Sequence, residues 1–303
     1  MKVILRAFAK INLFLEILKK ESNMCLHNIE TVVQSVGLYD EIKIECKRNE
    51  ALSKNKIFIK TDCDELNKIS YIDNSAYRAC KEFLTYYGFT GVLVKIEINK
   101  NIPLNSGLGG ESTDAAAILV GLNYLFRTNL DISELYDLAI RVGSDVLLCL
   151  IGGTLLYRKL GSSPKKMLNL PVCHLLICKP DFGILTKDAY KMFDDKYKIE
   201  EYKKVSISDI VNSINEQNII GISNSLYNRF ESVLENKTIK YIKKIMTKFG
   251  ALSASMSGSG SAVFGIFKDY MNANMCKNEL ITKYSEVFIC KPINRGQEII
   301  LDD

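Results

Sequence analysis

The sequence predicts an α+β fold, because strand and helix patterns are mixed in both halves of the chain but do not alternate regularly. The chain has 303 residues, which is long enough for two packed domains. Hydrophobic residues make up 47% and charged residues 25%, as in ordinary globular proteins.

Strands dominate the start of the predicted first domain. Apolar runs predict two strands on either side of the step Ala9-Lys10-Ile11, and period-two alternation predicts three more. These strands are Val3 to Phe8, Asn12 to Ile17, Glu41 to Cys46, Lys56 to Thr61 and Gly91 to Asn99. Helices are predicted from Asn74 to near Gly88, from Ser112 to Phe126 and from Ile132 to Val142.

A loose segment, Gly161 to Lys166, predicts a linker, and hence domains at residues 1–162 and 163–303. The second domain starts with a predicted strand and continues with several helices. It then has a Gly/Ser segment between two strands, followed by a last helix and strand. The elements are Cys173 to Cys178, helices near Lys187 and between Ile207 and Phe249, and an end near Cys290.

Composition excludes several classes of protein. The net charge is +5, but the lysines are spread along the chain, which favours solvated faces over a nucleic-acid surface. The nine cysteines form no CxxC pair and only two histidines are present, which argues against structural zinc. No signal peptide and no run of 18 apolar residues is found, so we expect a cytoplasmic protein without a membrane span.

The strongest motif is the glycine-rich run from Ile102 to Ala117, which follows a strand and opens a helix. Glycines allow close backbone approach, and a helix N-terminus adds unpaired N–H donors, so the run predicts a phosphate-binding loop. It lacks the Gly-Lys-Ser/Thr end of a Walker A loop and the GxGxxG spacing of a Rossmann fold. A plain turn before an N-capped helix is the alternative.

Three weaker motifs accompany this loop. Lys10 lies at a break between apolar runs, so it faces either a cleft and a carboxylate or an exposed sheet edge. Asp145 lies between a helix end and an apolar run, where an N-cap is the alternative to a catalytic role. The segment Ala254 to Gly265 forms either a flexible hairpin or a second loop that closes on phosphates or acceptor.

Together the four segments resemble the GHMP kinases, from about Arg6 to Phe267. Within that family, AKINLFL (Ala9 to Leu15) and GSDV (Gly143 to Val146) resemble the branch that phosphorylates 4-diphosphocytidyl-2-C-methyl-D-erythritol. The resemblance implies a two-domain α+β fold with the active site in the inter-domain cleft. It also implies ATP and Mg²⁺ as cofactors, and a small, cytidine diphosphate-linked substrate on a monomer or homodimer.

The resemblance implies a role for each matched residue. Asp145 would be the catalytic base, and Lys10 its partner that polarises the acceptor hydroxyl. Residues implied to bind ATP are Asn74, Lys100, Pro103, Asn105, Ser106, Gly107, Leu108, Gly109, Gly110, Ser112 and Thr113. Residues implied to bind the acceptor are Asn12, His27, Tyr190, Gly258, Ser259 and Gly260. The metal ligands are left open.

The chain departs from the family pattern at three positions: Leu26 replaces an aromatic residue, Glu111 a glycine of the loop, and Leu147 a proline. Two alternatives to the erythritol substrate therefore stay open. One is a GHMP kinase for another hydroxyl acceptor, such as a sugar, homoserine or mevalonate. The other is a catalytically silent binding protein on the same fold.

Overall fold

The computed structural model describes residues 1–18, 27–49, 52–68, 70, 74–158, 163–197 and 202–302. It confirms the mixed α and β content predicted from the sequence. Strands are β1 Lys2–Ile17, β2 Ile29–Arg48, β3 Lys56–Thr61, β4 Val92–Asn99, β5 Thr154–Tyr157, β6 Lys165–Lys166, β7 His174–Lys179, β8 Tyr227–Asn228, β9 Ser253–Met256, β10 Val263–Phe267, β11 Glu286–Cys290 and β12 Gln297–Asp302. Helices are α1 Asp64–Asn67, α2 Ser75–Tyr86, α3 Gly110–Phe126, α4 Tyr136–Val142, α5 Ser144–Ile151, α6 Thr186–Tyr197, α7 Ser208–Asn215, α8 Ile219–Asn224, α9 Arg229–Leu234, α10 Lys237–Lys248 and α11 Tyr270–Leu280.

The described strands form two sheets. The larger has the order β12-β1-β2-β4-β3, with β5 and β6 continuing from β2 and β8 pairing with β1. The smaller has the order β11-β7-β10-β9. Helices α2 and α3 pack with the larger sheet through a core of apolar side chains, while α10 and α11 pack on the smaller one. No helix in the described ranges has both the length and the apolar character of a membrane span.

The start of the chain differs from the prediction. Val3 to Phe8 and Asn12 to Ile17 are not two strands but parts of the continuous strand β1. Its register against β2 shifts between Phe8 and Lys10 and again between Asn12 and Phe14. Bulges bend a strand and re-aim its side chains without ending it. The sequence break at Lys10 therefore marks a bulged strand.

The predicted division at residue 162 does not separate the two sheets. Strand β6 pairs with β5, and β12 at the end of the chain pairs with β1, so both join the larger sheet. The first part of the predicted linker, residues 161 and 162, lies outside the described residues. Strand β12 was not predicted, because its pairing partner lies almost the whole chain length away.

Asparagine and aspartate side chains start several helices. Asn74 accepts hydrogen bonds from the backbone N–H groups of Ala76 and Tyr77 and thereby caps α2. Asn236 caps α10 and Asp269 caps α11 in the same way. Such caps satisfy N–H groups that have no partner inside the helix. The predicted helix over 132–142 is shorter than expected, since regular helix begins only at Tyr136.

A buried ion pair joins the end of β1 to the second half of the chain. Arg229 on α9 donates from Nε and Nη2 to the two carboxylate oxygens of Glu16, at 2.6 Å each. The Glu16 side chain is fully buried and that of Arg229 is 7% exposed. The rings of Tyr197, Tyr202 and Tyr227 lie within 5.6 Å of the guanidinium carbon. This pair ties the end of β1 to α9.

We expect Arg229→Met to lower the free energy of unfolding by about 3–5 kcal/mol, because Glu16 would stay buried without its cation. The double variant Glu16→Gln/Arg229→Met should recover part of that loss. Arg295→Met, which removes a half-exposed partner of Glu298, is the control and should change stability by less than about 1 kcal/mol. Urea unfolding followed by circular dichroism measures all three, and an Arg229 variant as stable as the control would contradict the assignment.

Candidate active site

A cavity of about 630 Å³ opens between the two halves of the chain. Its floor is β1 with Lys10 and Asn12, and one wall is the glycine-rich loop between β4 and α3. The start of α5 and residues 184–187, which lead into α6, complete the opening. Strand β1 and the two glycine loops thus bring the four sequence motifs to one place.

The glycine-rich loop has an unusual backbone. Asn105, Gly107 and Gly109 have φ angles of 50°, 77° and 75°, three left-handed residues in five. Alternation of left- and right-handed residues points successive N–H groups into one concavity, which binds anions. A Cβ at Gly107 would lie 2.1 Å from the Ser257 carbonyl oxygen, so glycine is required there.

Helix α3 begins directly at this loop. The amides of Gly110, Glu111 and Ser112 have no acceptor inside the helix, because the first helical bond runs from Thr113 to Gly109. These donors and the positive end of the helix dipole favour a phosphate group. Glu111 is exposed at the cavity rim. Its carboxylate therefore does not occupy the interior of the loop.

The two glycine-rich segments interlock. The Ser257 hydroxyl donates to the Gly107 carbonyl oxygen at 3.0 Å and accepts from the N–H of Asn12 at 3.2 Å. The N–H of Ala262 donates to the Ser106 carbonyl oxygen. The segment from Ala254 to Gly265 is therefore not a free hairpin. It supports the phosphate loop and places Gly258 and Ser259 in the cavity wall.

The side chains of Lys10 and Asp145 meet beside the loop. Lys10 Nζ is 3.4 Å from Asp145 Oδ2 and donates to Asn12 Oδ1 at 2.8 Å. The Lys10 side chain is 8% exposed, whereas that of Asp145 is 41% exposed. The edge-strand alternative for Lys10 is wrong, because its ammonium is buried against Asp145 and Asn12 and does not extend into solvent. An ammonium has three donors, so Lys10 can hold both partners and also contact a substrate oxygen.

Asp145 lies in the first turn of α5, so the N-cap alternative is wrong as well. The cap residue is Gly143, and it makes no side-chain cap hydrogen bond. The carboxylate instead points into the cavity. Behind it, burial raises the pKa of the Cys149 thiol to about 12, so this group stays neutral beside Lys10 and Gly109.

The far end of the cavity is aromatic. The rings of His27 and Tyr190 stack with centroids 5.0 Å apart and an interplanar angle of 15°. His27 Nε2 is 2.7 Å from Asp194 Oδ1, and Phe230 packs edge-on against Tyr190. Burial raises the pKa of Tyr190, so its hydroxyl stays protonated. Leu26, the departure from the family pattern, lies outside the described residues.

Most residues implied by the resemblance line the cavity. They are Lys10, Asn12, His27, Pro103, Asn105, Ser106, Gly107, Gly109, Gly110, Ser112, Asp145, Tyr190, Gly258 and Ser259. Their individual roles stay predictions, because no bound ligand reports on them.

Five implied residues do not line the cavity. The Asn74 side chain is used by the α2 cap. The Lys100 ammonium is buried between two carboxylates, and the Thr113 hydroxyl donates to the Phe8 carbonyl oxygen. The Leu108 side chain is in the core, and Gly260 packs against Met256 and Ile184. These residues support the site in this structure, and the ligand contacts that the resemblance implies for them stay predictions.

Four polar lining residues escaped the sequence analysis. Ser75 and Arg78 lie on α2 just after its cap residue Asn74, and Thr186 and Lys187 lie at the start of α6. Arg78 is four residues after Asn74, which puts it one helical turn further along. This spacing from Asn74 could have predicted that Arg78 lies on the cavity side of α2. Thr186 bonds Ser259 across the opening at 3.1 Å.

Oxygen atoms near the loop could serve as ligands of Mg²⁺. Glu111, Ser112 and Asp145 all line the cavity, and carboxylates and hydroxyls are the hard ligands that this ion prefers. Within the described ranges, no three acidic, cysteine or histidine residues form a metal cluster on their own. A Mg²⁺ ion bound with nucleotide typically takes only one or two protein carboxylates and the substrate phosphates.

Comparison with known proteins finds two family domains in the chain. Residues 74–153 match the model of the GHMP kinase N-terminal domain, and residues 214–286 match that of the GHMP kinase C-terminal domain. Proteins named 4-diphosphocytidyl-2-C-methyl-D-erythritol kinase from Clostridium botulinum and Clostridium tetani are each 36% identical to the chain. The botulinum alignment spans 293 residues, 95% of this chain and 99% of the relative.

Solved structures agree on the fold. A crystal structure of 4-(cytidine 5'-diphospho)-2C-methyl-D-erythritol kinase superposes with a TM-score of 0.75 at 24% identity, covering 96% of this chain and 99% of that one. Homoserine kinase from Cytophaga hutchinsonii gives 0.74 at 18% identity, covering 99% of this chain and 97% of its own. The chain therefore belongs to the GHMP kinases and, within them, to the 4-diphosphocytidyl-2-C-methyl-D-erythritol kinase family.

Proposed function

We propose that the protein transfers the γ-phosphoryl group of ATP to a hydroxyl of 4-diphosphocytidyl-2-C-methyl-D-erythritol, giving the 2-phosphate, in isoprenoid precursor synthesis. The observation that carries the proposal is the pair of Lys10 and Asp145 beside the left-handed, glycine-rich loop that opens α3. Relatives named for this activity support the choice of substrate. A cytoplasmic location and a monomeric or dimeric state stay predictions.

The cavity supplies what phosphoryl transfer requires, which is mainly positioning and electrostatic stabilisation. The amides of the loop and of the α3 N-terminus hold the phosphates of ATP. Asp145 takes the proton of the acceptor hydroxyl as the new oxygen–phosphorus bond forms and the bond from the γ-phosphorus to the ADP oxygen breaks. Lys10 orients the hydroxyl and offsets negative charge that develops there.

Asn12 has an indirect part in this chemistry. Its Oδ1 holds the Lys10 ammonium, and its Nδ2 donates to the Thr31 hydroxyl at 2.9 Å. That hydroxyl donates in turn to the Phe14 carbonyl oxygen at 2.6 Å. Each group in this series of hydrogen bonds has a fixed partner. The Lys10 ammonium is therefore preorganised towards Asp145 and need not reorient during the reaction.

Mg²⁺ would be held by Glu111, Ser112 or Asp145 together with the phosphates of ATP. Its chemistry there would be to neutralise charge on the phosphate oxygens. Glu111 replaces a glycine of the family loop, and its exposed position at the rim lets it reach an ion without entering the loop.

The acceptor would extend from Asp145 to the aromatic end of the cavity. Tyr190 and His27 there offer a stacking surface and a ring nitrogen to a flat heterocycle. Stacking of a nucleobase on an aromatic ring contributes about 1–3 kcal/mol. Asp145 and the aromatic end line the same cavity. This arrangement suits a substrate that carries both a polyol and a nucleobase.

Asp145→Asn should lower kcat by about 10²–10⁴-fold, because the amide cannot accept the hydroxyl proton. The dissociation constant of a non-hydrolysable ATP analogue with Mg²⁺ should stay within about threefold. The control is Asp137→Asn, an exposed aspartate on α4 outside the cavity, which should keep wild-type kcat. An Asp145→Asn enzyme with more than a tenth of wild-type kcat in an ADP-release assay would refute the base assignment.

Tyr190→Ala should raise KM for the erythritol substrate about 5- to 150-fold through lost stacking, with KM for ATP nearly unchanged. The control is Tyr270→Ala, a substitution of an exposed tyrosine at the start of α11. The wild-type enzyme should also prefer this acceptor to homoserine and mevalonate by a large factor in kcat/KM. Faster turnover of either of those two would replace the proposed substrate with another GHMP kinase activity.

Glu111→Gln should raise the Mg²⁺ concentration needed for half-maximal activity several-fold if its carboxylate is a ligand. KM for ATP at saturating Mg²⁺ should stay near the wild-type value. Titration of the ion at fixed ATP measures the shift, with Glu134→Gln as control at an exposed residue that precedes α4 and does not line the cavity. An unchanged Mg²⁺ requirement would exclude Glu111 as a ligand.

A further inference from the structure

Three charged side chains lie buried behind the phosphate loop: Asp40, Lys100 and Asp114, which we call the loop clamp. Lys100 Nζ donates to Asp40 Oδ2 at 2.5 Å and to Asp114 Oδ2 at 2.7 Å. The side chains of Asp40, Lys100 and Asp114 are 0%, 6% and 4% exposed. None of the three lines the cavity, so the clamp does not touch a ligand there.

The clamp joins both ends of the phosphate loop. Asp40 Oδ1 accepts from the backbone N–H groups of Asn101 and Ile102, at 2.6 and 2.8 Å, where the loop starts. Asp114 lies one turn into α3, where the loop ends. The single ammonium of Lys100 connects these two carboxylates. Its Nζ also lies 3.4 Å from the position of a Cβ at Gly110.

The clamp is not arranged as stability alone would require. Two carboxylates share one ammonium, and Asp114 Oδ1 has no hydrogen-bond partner although it is buried. Burial, with Asp40 nearby, raises the pKa of Asp114 well above that of an ordinary carboxyl group. Buried charged groups often add little net stability compared with apolar residues. Stability alone therefore does not explain why Asp114 is present as a second carboxylate beside Lys100.

We propose that Asp114, acting through Lys100, is a positioning residue that sets the span of the phosphate loop and thereby the affinity for ATP. The inference rests on the proposed function, because it takes the loop to hold the phosphates. Without the bond from Lys100 to Asp114, α3 and the end of β4 are no longer joined by this buried hydrogen bond. The amides of residues 105–112 would then sample a wider range of positions, and phosphate binding would weaken.

The test compares Asp114→Ala with Asp114→Asn, because the amide oxygen of asparagine can still accept the Lys100 bond. Either variant leaves Lys100 paired with Asp40, so no unpaired buried charge is created. We expect Asp114→Ala to weaken binding of a non-hydrolysable ATP analogue with Mg²⁺ about tenfold and to raise KM for ATP equally. Asp114→Asn should stay within threefold of wild type, and KM for the acceptor within twofold in both.

Ile118→Ala is the matched control, because Ile118 is a fully buried residue one turn further along the same helix. It should lower the melting temperature while leaving the affinity for the ATP analogue within twofold. Calorimetric titration gives the dissociation constants without any acceptor, and steady-state assays give the two KM values.

Each remaining outcome is decisive. Equal affinity of wild type and Asp114→Ala for the analogue would overturn this inference alone. The inference would also be overturned if Asp114→Asn or Ile118→Ala lost as much affinity for the analogue as Asp114→Ala does. Either result would show that the affinity does not depend on the bond from Lys100. A wild-type protein that does not bind the analogue would refute the proposed function, and this inference with it.

Discussion

The buried ammonium of Lys10 is the constraint on which the arrangement of the cleft depends. An unpaired charge is costly to bury, so a lysine in the middle of a central strand needs fixed polar partners. Asn12 and Asp145 supply them, and the bulges of β1 make this possible. At the first bulge the Lys10 N–H turns from the sheet ladder to the Leu108 carbonyl oxygen. One strand thus positions the cation and anchors the phosphate loop.

The second constraint is the close contact of two glycine-rich segments from opposite halves of the chain. The loop after β4 takes its left-handed conformation at Gly107, which has no side chain to collide with Ser257, and the Ser257 hydroxyl bonds the Gly107 carbonyl oxygen. Asn228 in turn donates to the carbonyl oxygens of Met256 and Gly258. The second segment is the connection between the paired strands β9 and β10, whereas the phosphate loop lies between β4 and α3. The bonds between the two segments therefore tie the phosphate loop to the smaller sheet.

The sequence predicted the elements with local signals and missed those that depend on distant partners. The loop at residues 103–113 and the cap at Asn74 follow from glycine, proline and asparagine chemistry within a few residues. Lys100 was assigned to ATP because the resemblance places a lysine just before the phosphate loop. Its partners Asp40 and Asp114 are 60 and 14 residues away, and only the fold brings them together. Strand β12 was missed for the same reason, since β1 pairs with it across nearly the whole chain.

Strand β1 also limits how the cleft can change shape. Its first half pairs with β12 and β2, and its second half packs in the cores of the smaller sheet and ends at the buried bond from Arg229 to Glu16. A rigid rotation of one half against the other would have to break these strand pairs or that ion pair. We therefore expect the cavity to adjust to a ligand where the wall has neither strand pairing nor that ion pair. Thr186 and Lys187, which are exposed at the opening, lie in such a part. Hence the positions of Lys10 and Asp145 are set by folding. Substrate binding then needs to move only the exposed residues at the opening of the cavity.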